Sequence, residues 1–396
     1  MSSKSILVLA AANIATCPRA MAMIEILKSH YAVSCMGIDS DDGTQMLPPP
    51  QQRIPTFSYP AYQKRNTFQE LCLWGNVALR RWERLSLIAN RLKIVEHLKS
   101  HFYDCVICHD LLLLPVLYKG LEESRRLDST KVFFDAREFY PLQNTSSLRW
   151  RLLFKAFNES LVRDFASRAD MMVSVSPTFC ELYKRQFGLN VHLLMSLPPY
   201  YALMPKPTNG NKIKILYHGA LNQNRGIDEL IEICKYLDAR FSIDFIFTGG
   251  EKAYRDKIES KIKRYMAQGK QVRILPPVSL REIVPMGNAY DIGLIYIPPH
   301  NHNLLATLPN KFFEYIQSRL ALCFPPIPSL IPFVEKYQMA VVAENFSIKS
   351  LALALASLDV SQIDKMKESS HKASLELQRE KNEEKILTMI RDLLQE

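Results

Sequence analysis

The sequence contains no apolar run that approaches the roughly 20 residues a helix needs to cross a bilayer. It also lacks internal repeats and low-complexity tracts. We therefore expect a soluble or peripheral globular protein. Hydrophobic residues make up 47% of the 396 positions, which is enough apolar material for two hydrophobic cores.

The cysteines and histidines show no spacing that is typical of a disulfide framework or of a metal site. Eight cysteines are scattered along the chain, mostly in apolar runs, which indicates a reducing compartment. The stretch CVICH, Cys105 to His109, matches a haem attachment pattern but lies on a predicted buried strand. Met1 to Ala20 could be a secretory signal, yet it continues directly into a helix and a second strand. We expect a cytoplasmic protein with no metal and no haem.

Short apolar strands alternate with helices in both halves, which predicts doubly wound parallel sheets covered by helices. In the first half the strands begin at Ile6 and Tyr31 and then follow at Cys105–Cys108, Val132–Phe134, Met171–Val175 and Val191–Met195. A stretch rich in proline and glycine, Leu197 to Lys212, interrupts the pattern before the alternation restarts. We predict two Rossmann-like domains, residues 1–200 and 201–373, followed by a charged C-terminal helix, residues 374–396.

The formal net charge of +10 favours an anionic partner without identifying it. Between Lys64 and Lys99, basic residues alternate with apolar ones, and LRWRLLFKAF from Leu148 repeats the theme. Such a helix could lie on an anionic membrane surface, or it could be a solvated basic face over an ordinary core stripe. Both interpretations stay open.

Two glycine turns in the second half suggest a phosphate site. HGALNQNRG places Gly219 at a strand end and Arg225 at the start of the next helix, and TGG closes another strand at Thr248, Gly249 and Gly250. Glycine lets a phosphate approach the backbone, a helix start offers free N–H groups, and arginine adds a cation. An ordinary turn with an exposed arginine is the alternative.

The segment LPNKFFEYIQSRL is more specific. Pro309 precedes an amphipathic helix that carries Asn310, Lys311 and Glu314 in or near its first turn. A glutamate there complements the helix dipole, whereas a lysine opposes it. We therefore expect an anionic ligand beside Lys311.

These motifs resemble those of retaining glycosyltransferases of family four, from about Lys212 to Val342. The first half matches more loosely, through Arg19, the pair His109-Asp110, and DAREFYP, which contains Arg137 and Glu138. The resemblance implies the GT-B fold, in which two Rossmann-like domains face each other across a cleft. It also implies that Glu314 binds the nucleotide ribose, and that Arg225 and Lys311 hold the diphosphate.

Two positions depart from the family pattern. The family's first glutamate, seven residues before Glu314, is Ala306 here, and Asn303 or His302 could take its place. Arg137 stands where many members have a histidine that touches the donor sugar. The first departure affects a contact to the sugar, and the second suggests either another role for Arg137 or a donor other than a plain hexose.

The resemblance implies transfer of a sugar from a nucleoside diphosphate sugar to an acceptor hydroxyl, with retention, without metal or cofactor, and with no nucleic acid partner. The implied context is bacterial surface polysaccharide synthesis at the inner face of the cytoplasmic membrane, on a glycan or lipid-linked acceptor. A sugar-nucleotide epimerase and a non-catalytic nucleotide-sugar-binding protein are the alternatives. The expected catalytic residues are Arg225, Lys311, Glu138 and Arg137; the expected donor-binding residues are Gly219, Arg225, Thr248, Gly249, Asn303, Asn310, Lys311 and Glu314; the expected acceptor or cleft residues are Arg19, His109 and Asp110.

Overall fold

A computed structural model describes residues 4–39, 46–47, 53–62, 65–145, 147–299 and 302–395. Contacts divide the chain into a first unit, Met1–Met195 with Glu383–Glu396, and a second unit, Ser196–Asn382. Each unit is a parallel α/β sandwich, as the alternation of strands and helices predicts.

The first unit is built on a seven-stranded parallel sheet of order β3-β2-β1-β4-β5-β6-β7. Its strands are β1 Ser5–Leu9, β2 Ala32–Ile38, β3 Thr56–Tyr59, β4 Cys105–Cys108, β5 Lys131–Ala136, β6 Met171–Ser174 and β7 His192–Leu193. Its helices are α1 Pro18–Leu27, α2 Thr67–Ala78, α3 Trp82–Ser86, α4 Ala89–Ser100, α5 Leu114–Glu123, α6 Leu148–Leu153, α7 Lys155–Asp164 and α8 Pro177–Phe187. The strand order reverses between β1 and β4, so ligands are expected beyond the carboxyl ends of these two strands.

The second unit has a six-stranded parallel sheet of order β10-β9-β8-β11-β12-β13. Its strands are β8 Ile213–Ala220, β9 Phe241–Thr248, β10 Val272–Leu275, β11 Ile292–Leu294, β12 Ala321–Phe324 and β13 Ala340–Val342. Its helices are α9 Ile227–Leu230, α10 Lys252–Ala267, α11 Leu280–Gly287, α12 His302–Ala306, α13 Asn310–Gln317, α14 Ile331–Tyr337, α15 Ile348–Ala356 and α16 Val360–Glu376. Here the order reverses between β8 and β11.

The C-terminal segment differs from the predicted single helix over 374–396. α16 ends at Glu376, and a separate helix, α17 Glu380–Leu394, comes after it. Gln317 donates from Nε2 to the carbonyls of Ser374 and Leu377, which satisfies groups that the helix end leaves open. The apolar face of α17 packs in the core of the first unit, through Ile386, Leu387, Met389, Ile390 and Leu393.

The proline-rich segment that separates the two predicted domains lacks regular structure, but it is held against the second unit. Arg319, fully buried just after α13, donates to the carbonyls of Tyr201 and Leu203. The boundary between the units therefore falls after Met195 rather than after residue 200, because the segment packs against α13 of the second unit.

Candidate functional site

The second unit brings Lys311, Glu314 and Gly219 together at the carboxyl end of β8. Lys311 lies in the first turn of α13 and is only 7% exposed. Its Nζ sits 3.9 Å from the centroid of the Tyr217 ring, a favourable place for a cation. A Cβ on Gly219 would stand 3.2 Å from this Nζ, so a side chain at this position would crowd the ammonium.

Burial opposes the charges of both Lys311 and Glu314. Burial, reinforced by the charge of Arg225 and countered by Glu314, lowers the pKa of Lys311 to about 7. Burial likewise raises the pKa of Glu314 to about 7, against the pull of Lys311. Each group is therefore poised to change its protonation near neutral pH when a charged ligand arrives.

His218 completes this group of side chains. Its Nε2 lies 3.3 Å from Oε2 of Glu314. Burial, with a smaller contribution from the charge of Lys311, lowers the pKa of His218 to about 3. The imidazole is therefore neutral at physiological pH, and it adds no positive charge beside Lys311.

Tyr315 fixes the geometry at the point where the strand order reverses. Its hydroxyl accepts from the backbone N–H of His218 and contacts the carbonyls of Leu216 and Leu294, on β8 and β11. A Cβ on Gly293 would clash with the Tyr315 ring, so only glycine fits there. None of His218, Tyr315 and Gly293 was among the predicted site residues; the apolar helical spacing of Tyr315 is the one pattern that marks it as buried.

Arg225 lies beside this group but not at the start of a long helix. It ends a short 3-10 turn, and Gly226 comes next in the left-handed region, with φ +64. A Cβ on Gly226 would come within 2.8 Å of the Tyr296 ring. The prediction that Arg225 opens a regular helix is wrong, because α9 is only four residues long and continues as a 3-10 helix. The dipole of a long helix therefore does not support the predicted phosphate site, and Arg225 and Lys311 are the cationic side chains that lie there.

The second glycine turn forms one wall of an open cavity of about 720 Å³ at the ends of β8 and β9. Gly249 and Gly250 have φ values of +60 and +94, and a Cβ on Gly250 would meet the Leu221 carbonyl at 2.8 Å. Thr248 is exposed at the mouth. The cavity is lined by Ala220 to Asn224, Thr248 to Glu251, and Tyr254.

The other predicted donor residues lie on or next to the helices α12 and α13. Asn303 is buried, and its carbonyl accepts from the N–H of Thr307. Asn310 is exposed at the first position of α13. Ala306 is half-buried at the end of α12, and the side chain of His302 lies outside the described residues.

In the first unit, Arg19, His109 and Asp135 form a buried cluster at the carboxyl ends of β4 and β5, beside the first turn of α1. Arg19 Nε donates to Asp135 Oδ2 at 2.5 Å, and His109 Nδ1 lies 2.9 Å from the same oxygen. Burial alone would raise the pKa of Asp135, but Arg19 and His109 hold it well below its ordinary value. Burial lowers the pKa of His109, which is therefore neutral. Asp135, the centre of this cluster, was not among the predicted site residues.

Arg137 and Asp110 form a second, more open pair at the same edge. Arg137 Nη2 lies 3.4 Å from Asp110 Oδ2, and Arg137 remains 35% exposed. Asp110 also accepts from the N–H of Leu112, which fixes the turn after β4. Glu138 is half-buried, and its carbonyl accepts from the Tyr183 hydroxyl.

The basic segment Lys64–Lys99 is not one amphipathic helix. It is divided into α2, α3 and α4, with Arg80 in the left-handed region between the first two; Lys64 lies outside the described residues. Ile94, Val95 and Leu98 are core residues of α4. The exposed apolar side chains lie instead on or beside α2 and α6: Phe68, Leu71, Trp74, Leu79, Leu148 and Leu152.

Within the described ranges, no group of three or more His, Cys, Asp or Glu side chains is placed to hold a metal ion. The same part of the chain contains no helix that is both long enough and apolar enough to span a bilayer.

Comparison with solved structures identifies the architecture. Sucrose-phosphate synthase from Thermosynechococcus elongatus superposes with a TM-score of 0.73 over 98% of this chain and 99% of its own, at 11% identity. HepE from Anabaena, solved with UDP-glucose, gives 0.72 over 98% and 99%, at 12% identity. A glycosyltransferase from Rickettsia africae gives 0.67 over 100% and 99%, at 12% identity. The chain has the GT-B fold.

At these identities the likeness establishes the fold and nothing finer. No family model matches the sequence, and no curated protein matches it. Both sheets of this chain follow the GT-B pattern. Its ligands and its chemistry depend on its own residues.

Proposed function

We propose that the protein is a glycosyltransferase that uses a nucleoside diphosphate sugar as donor. The observation that carries the proposal is the buried ammonium of Lys311, held at the strand end beside Gly219 and near Arg225. A buried lysine whose charge burial disfavours is costly without an anionic partner, and a diphosphate supplies one. HepE, a structural neighbour, was solved with UDP-glucose bound, which supports the same choice of ligand.

In this proposal the donor lies at the carboxyl edge of the second unit's sheet. The glycine turns at Gly219 and Gly249 let the nucleotide approach the backbone, Thr248, Asn303 and Asn310 contribute polar contacts, and Glu314 accepts from the ribose hydroxyls. Ionised Glu314 suits the ribose end of such a ligand, and charged Lys311 suits its diphosphate. A cavity of about 720 Å³, within the roughly 300–1,000 Å³ of small-molecule sites, lies at the same edge; Thr248 and Gly249 line it, whereas Lys311, Glu314 and Arg225 lie outside its lining.

The transfer breaks the bond between the anomeric carbon and the β-phosphate oxygen and forms a bond from that carbon to the acceptor oxygen, whose proton passes to solvent. The nucleoside diphosphate leaves with added negative charge. Arg225 and Lys311 can stabilise this charge, which is why we propose a metal-independent reaction without a cofactor. Retention of configuration and a role in bacterial surface polysaccharide synthesis are further parts of the proposal, and they rest on the motif resemblance.

We assign acceptor binding to the first unit. Arg137 and Asp110 are its accessible polar pair at the sheet edge, and Glu138 is the next residue in the chain. Arg19 and His109 act through Asp135, which orients them, rather than by direct contact with a reacting atom. This edge by itself suits the hydroxyl of either a glycan or a lipid-linked acceptor.

A peripheral position on the inner face of the cytoplasmic membrane is also proposed, on a surface different from a single basic helix. Phe68 is 72% exposed on α2 and Leu148 is 63% exposed on α6. The two helices are joined by a hydrogen bond of 2.6 Å from Arg149 to Glu70. Arg80 and Arg81 are exposed directly after α2. Apolar side chains with neighbouring cations are typical of a surface that binds anionic lipid.

Incubation of the purified protein with a panel of nucleotide sugars tests the proposed activity. Slow release of free sugar and nucleoside diphosphate, accelerated by an acceptor, is the expected result. An isomerised nucleotide sugar would indicate the epimerase instead, and binding without any turnover would indicate the non-catalytic protein.

A further inference from the structure

The first unit contains an open cavity of about 840 Å³ that none of the predicted site residues lines. It lies among α2, α3, α4 and the α6–α7 region. Its apolar wall consists of Leu73, Leu85, Ile88, Trp150, Phe154 and Phe157. A volume within the roughly 300–1,000 Å³ of ligand sites, with aromatic lining, is typical of a binding pocket rather than of a packing defect.

The charged residues that line this cavity are all cationic. They are Arg65, Arg84 and Arg91, and no acidic residue lines it among the described residues. Arg65 is partly neutralised, because its guanidinium lies 3.6 Å from Glu70 and stacks over Tyr62. Arg84 is exposed, and no hydrogen bond or ion pair of its guanidinium is found in the described part of the chain. The cavity thus combines an apolar wall with available positive charge.

One end of the cavity adjoins the proposed acceptor edge. Arg91 Nη1 donates to the Leu112 carbonyl at 3.2 Å, and the N–H of Leu112 donates to Asp110, the partner of Arg137. Tyr62 lies just beyond β3 at the same edge of the sheet. Leu112 alone would therefore separate an anionic group beside Arg91 from the Arg137–Asp110 pair.

The outer surface around the cavity is apolar too. α2 directs Gln69, Cys72, Leu73 and Asn76 to the cavity, while Phe68 and Leu71 are exposed on its other side. α6 is arranged in the same way, with Trp150 in the lining and Leu148 and Leu152 exposed. Exposed apolar side chains on two neighbouring helices are typical of a surface that other apolar groups cover. A molecule with a long apolar chain could pass between a lipid surface and this cavity.

We infer that this cavity binds an anionic amphiphile, an apolar chain headed by a phosphate, with the chain against Leu73, Trp150 and Phe157 and the phosphate near Arg84 and Arg91. The proposed transfer requires an acceptor, and the further step that this amphiphile is the acceptor rests on that proposed function. Of the two acceptor classes, the cavity favours the lipid-linked one.

The test is calorimetry of the full chain with farnesyl phosphate, farnesol and inorganic phosphate, each below any micelle concentration and without vesicles. We expect saturable binding of one farnesyl phosphate per chain, weaker binding of farnesol and no detectable binding of phosphate. Arg84→Gln should weaken farnesyl phosphate binding by about tenfold, the loss of one charge-assisted contact, and leave farnesol unchanged.

A matched pair of variants on α2 locates the site. Cys72 lines the cavity and Ala78 does not, yet both are exposed positions of the same helix. Cys72→Trp should weaken farnesyl phosphate binding by at least about tenfold, because the indole occupies the cavity mouth, whereas Ala78→Trp should leave it within about twofold. Equal melting temperatures of the two variants would exclude misfolding as the cause.

Two outcomes would overturn the inference: absence of saturable farnesyl phosphate binding to the wild type, or equal effects of Cys72→Trp and Ala78→Trp. Binding of several molecules per chain, indifferent to Cys72→Trp, would also overturn it, since this is adsorption to the outer surface. Titration of UDP into the same samples separates the two proposals. Farnesyl phosphate binding without UDP binding supports the cavity and contradicts the donor site, and the reverse result contradicts the cavity alone.

Discussion

Lys311 and Glu314 lie one helical turn apart, and burial works against the charge of both. An empty site can lower this cost by holding the pair in its neutral form. A diphosphate favours the charged lysine, and ribose hydroxyls are donors to a charged carboxylate, so the ligand stabilises the charged form of both. This is the physical reason to assign the donor site to these two residues rather than to a solvated ion pair.

The proposed diphosphate clamp, Arg225 and Lys311, predicts large losses of turnover when either residue is substituted. Arg225→Ala and Lys311→Ala should each lower the rate of donor hydrolysis by on the order of a hundredfold or more, because each removes a charge that stabilises the leaving group. Lys263→Ala, an exposed lysine of α10, is the control and should leave the rate unchanged. Near-normal rates in both clamp variants would remove Arg225 and Lys311 from the chemistry.

Glu314 is tested through binding. Glu314→Gln keeps the size of the side chain and removes the carboxylate that is expected to accept from two ribose hydroxyls. The affinity for UDP should fall by about tenfold, and the melting temperature should not fall, because burial of an amide costs less than burial of a carboxylate. Unchanged UDP affinity in calorimetry would show that Glu314 does not bind the ribose and interacts only with Lys311 and the helix dipole.

At the scale of elements, β11 and α13 are matched through Gly293 and Tyr315. The ring of Tyr315 occupies the space that a side chain on Gly293 would need, and its hydroxyl ties β8 to β11. This contact positions His218 and the first turn of α13 relative to the strand ends. The proposed donor site is thus placed by rigid elements rather than by a loop.

α17 belongs to the first unit by packing rather than by sequence order. Ile390 is fully buried in that unit's core. Ile390→Ala should lower the free energy of unfolding of the first unit by about 2–5 kcal/mol, measured by chemical denaturation. Thr388→Ala, on the exposed side of the same helix, should change it by less than about 0.5 kcal/mol. Equal stability of the two variants would show that the helix does not dock there in solution.

The alternation of apolar strands and amphipathic helices was enough to predict both sheets, since parallel strands buried on two faces read as short apolar runs. The glycine turns and the first turn of α13 could also be recognised in the sequence. Glycine is typical of such turns, and Lys311 opposes the helix dipole. Asp135, Tyr315, Gly293 and Arg319 were not, since their partners lie far away in the chain. The division of Lys64–Lys99 was missed for a different reason: no proline interrupts it, and core packing of α4 decides the geometry.

At the scale of the whole molecule, the net charge of +10 resides partly in exposed arginines beside the apolar surface of α2 and α6. A cation close to an anionic bilayer gains about 1 kcal/mol, which salt screens within roughly 10 Å at 0.1 M. Exposed Phe68 and Leu148 add an apolar contribution that salt does not screen. The two contributions can therefore be separated by ionic strength.

Sedimentation with vesicles tests the membrane surface. The protein should pellet with phosphatidylglycerol-containing vesicles at low salt, be released at high salt, and remain in the supernatant with neutral vesicles. Reversal of Arg80 and Arg81 to glutamate should abolish pelleting, whereas reversal of Lys263 and Arg264 on α10 should not. Wild-type protein that stays in the supernatant with anionic vesicles at low salt would contradict membrane binding through this surface.

Calorimetric titration of UDP at about pH 8, in two buffers of different ionisation enthalpy, tests the proposed donor site most directly. The pKa of free Lys311 is lowered to about 7, so at this pH its amine is mostly neutral. A bound diphosphate raises that pKa, and the complex should take up close to one proton. At about pH 6 the free lysine is already charged and Glu314 is mostly protonated, so the uptake should give way to proton release from Glu314. Binding of one UDP per chain with this proton uptake, lost in Lys311→Met, is the predicted result. No UDP binding, or an uptake that persists in Lys311→Met, would contradict it.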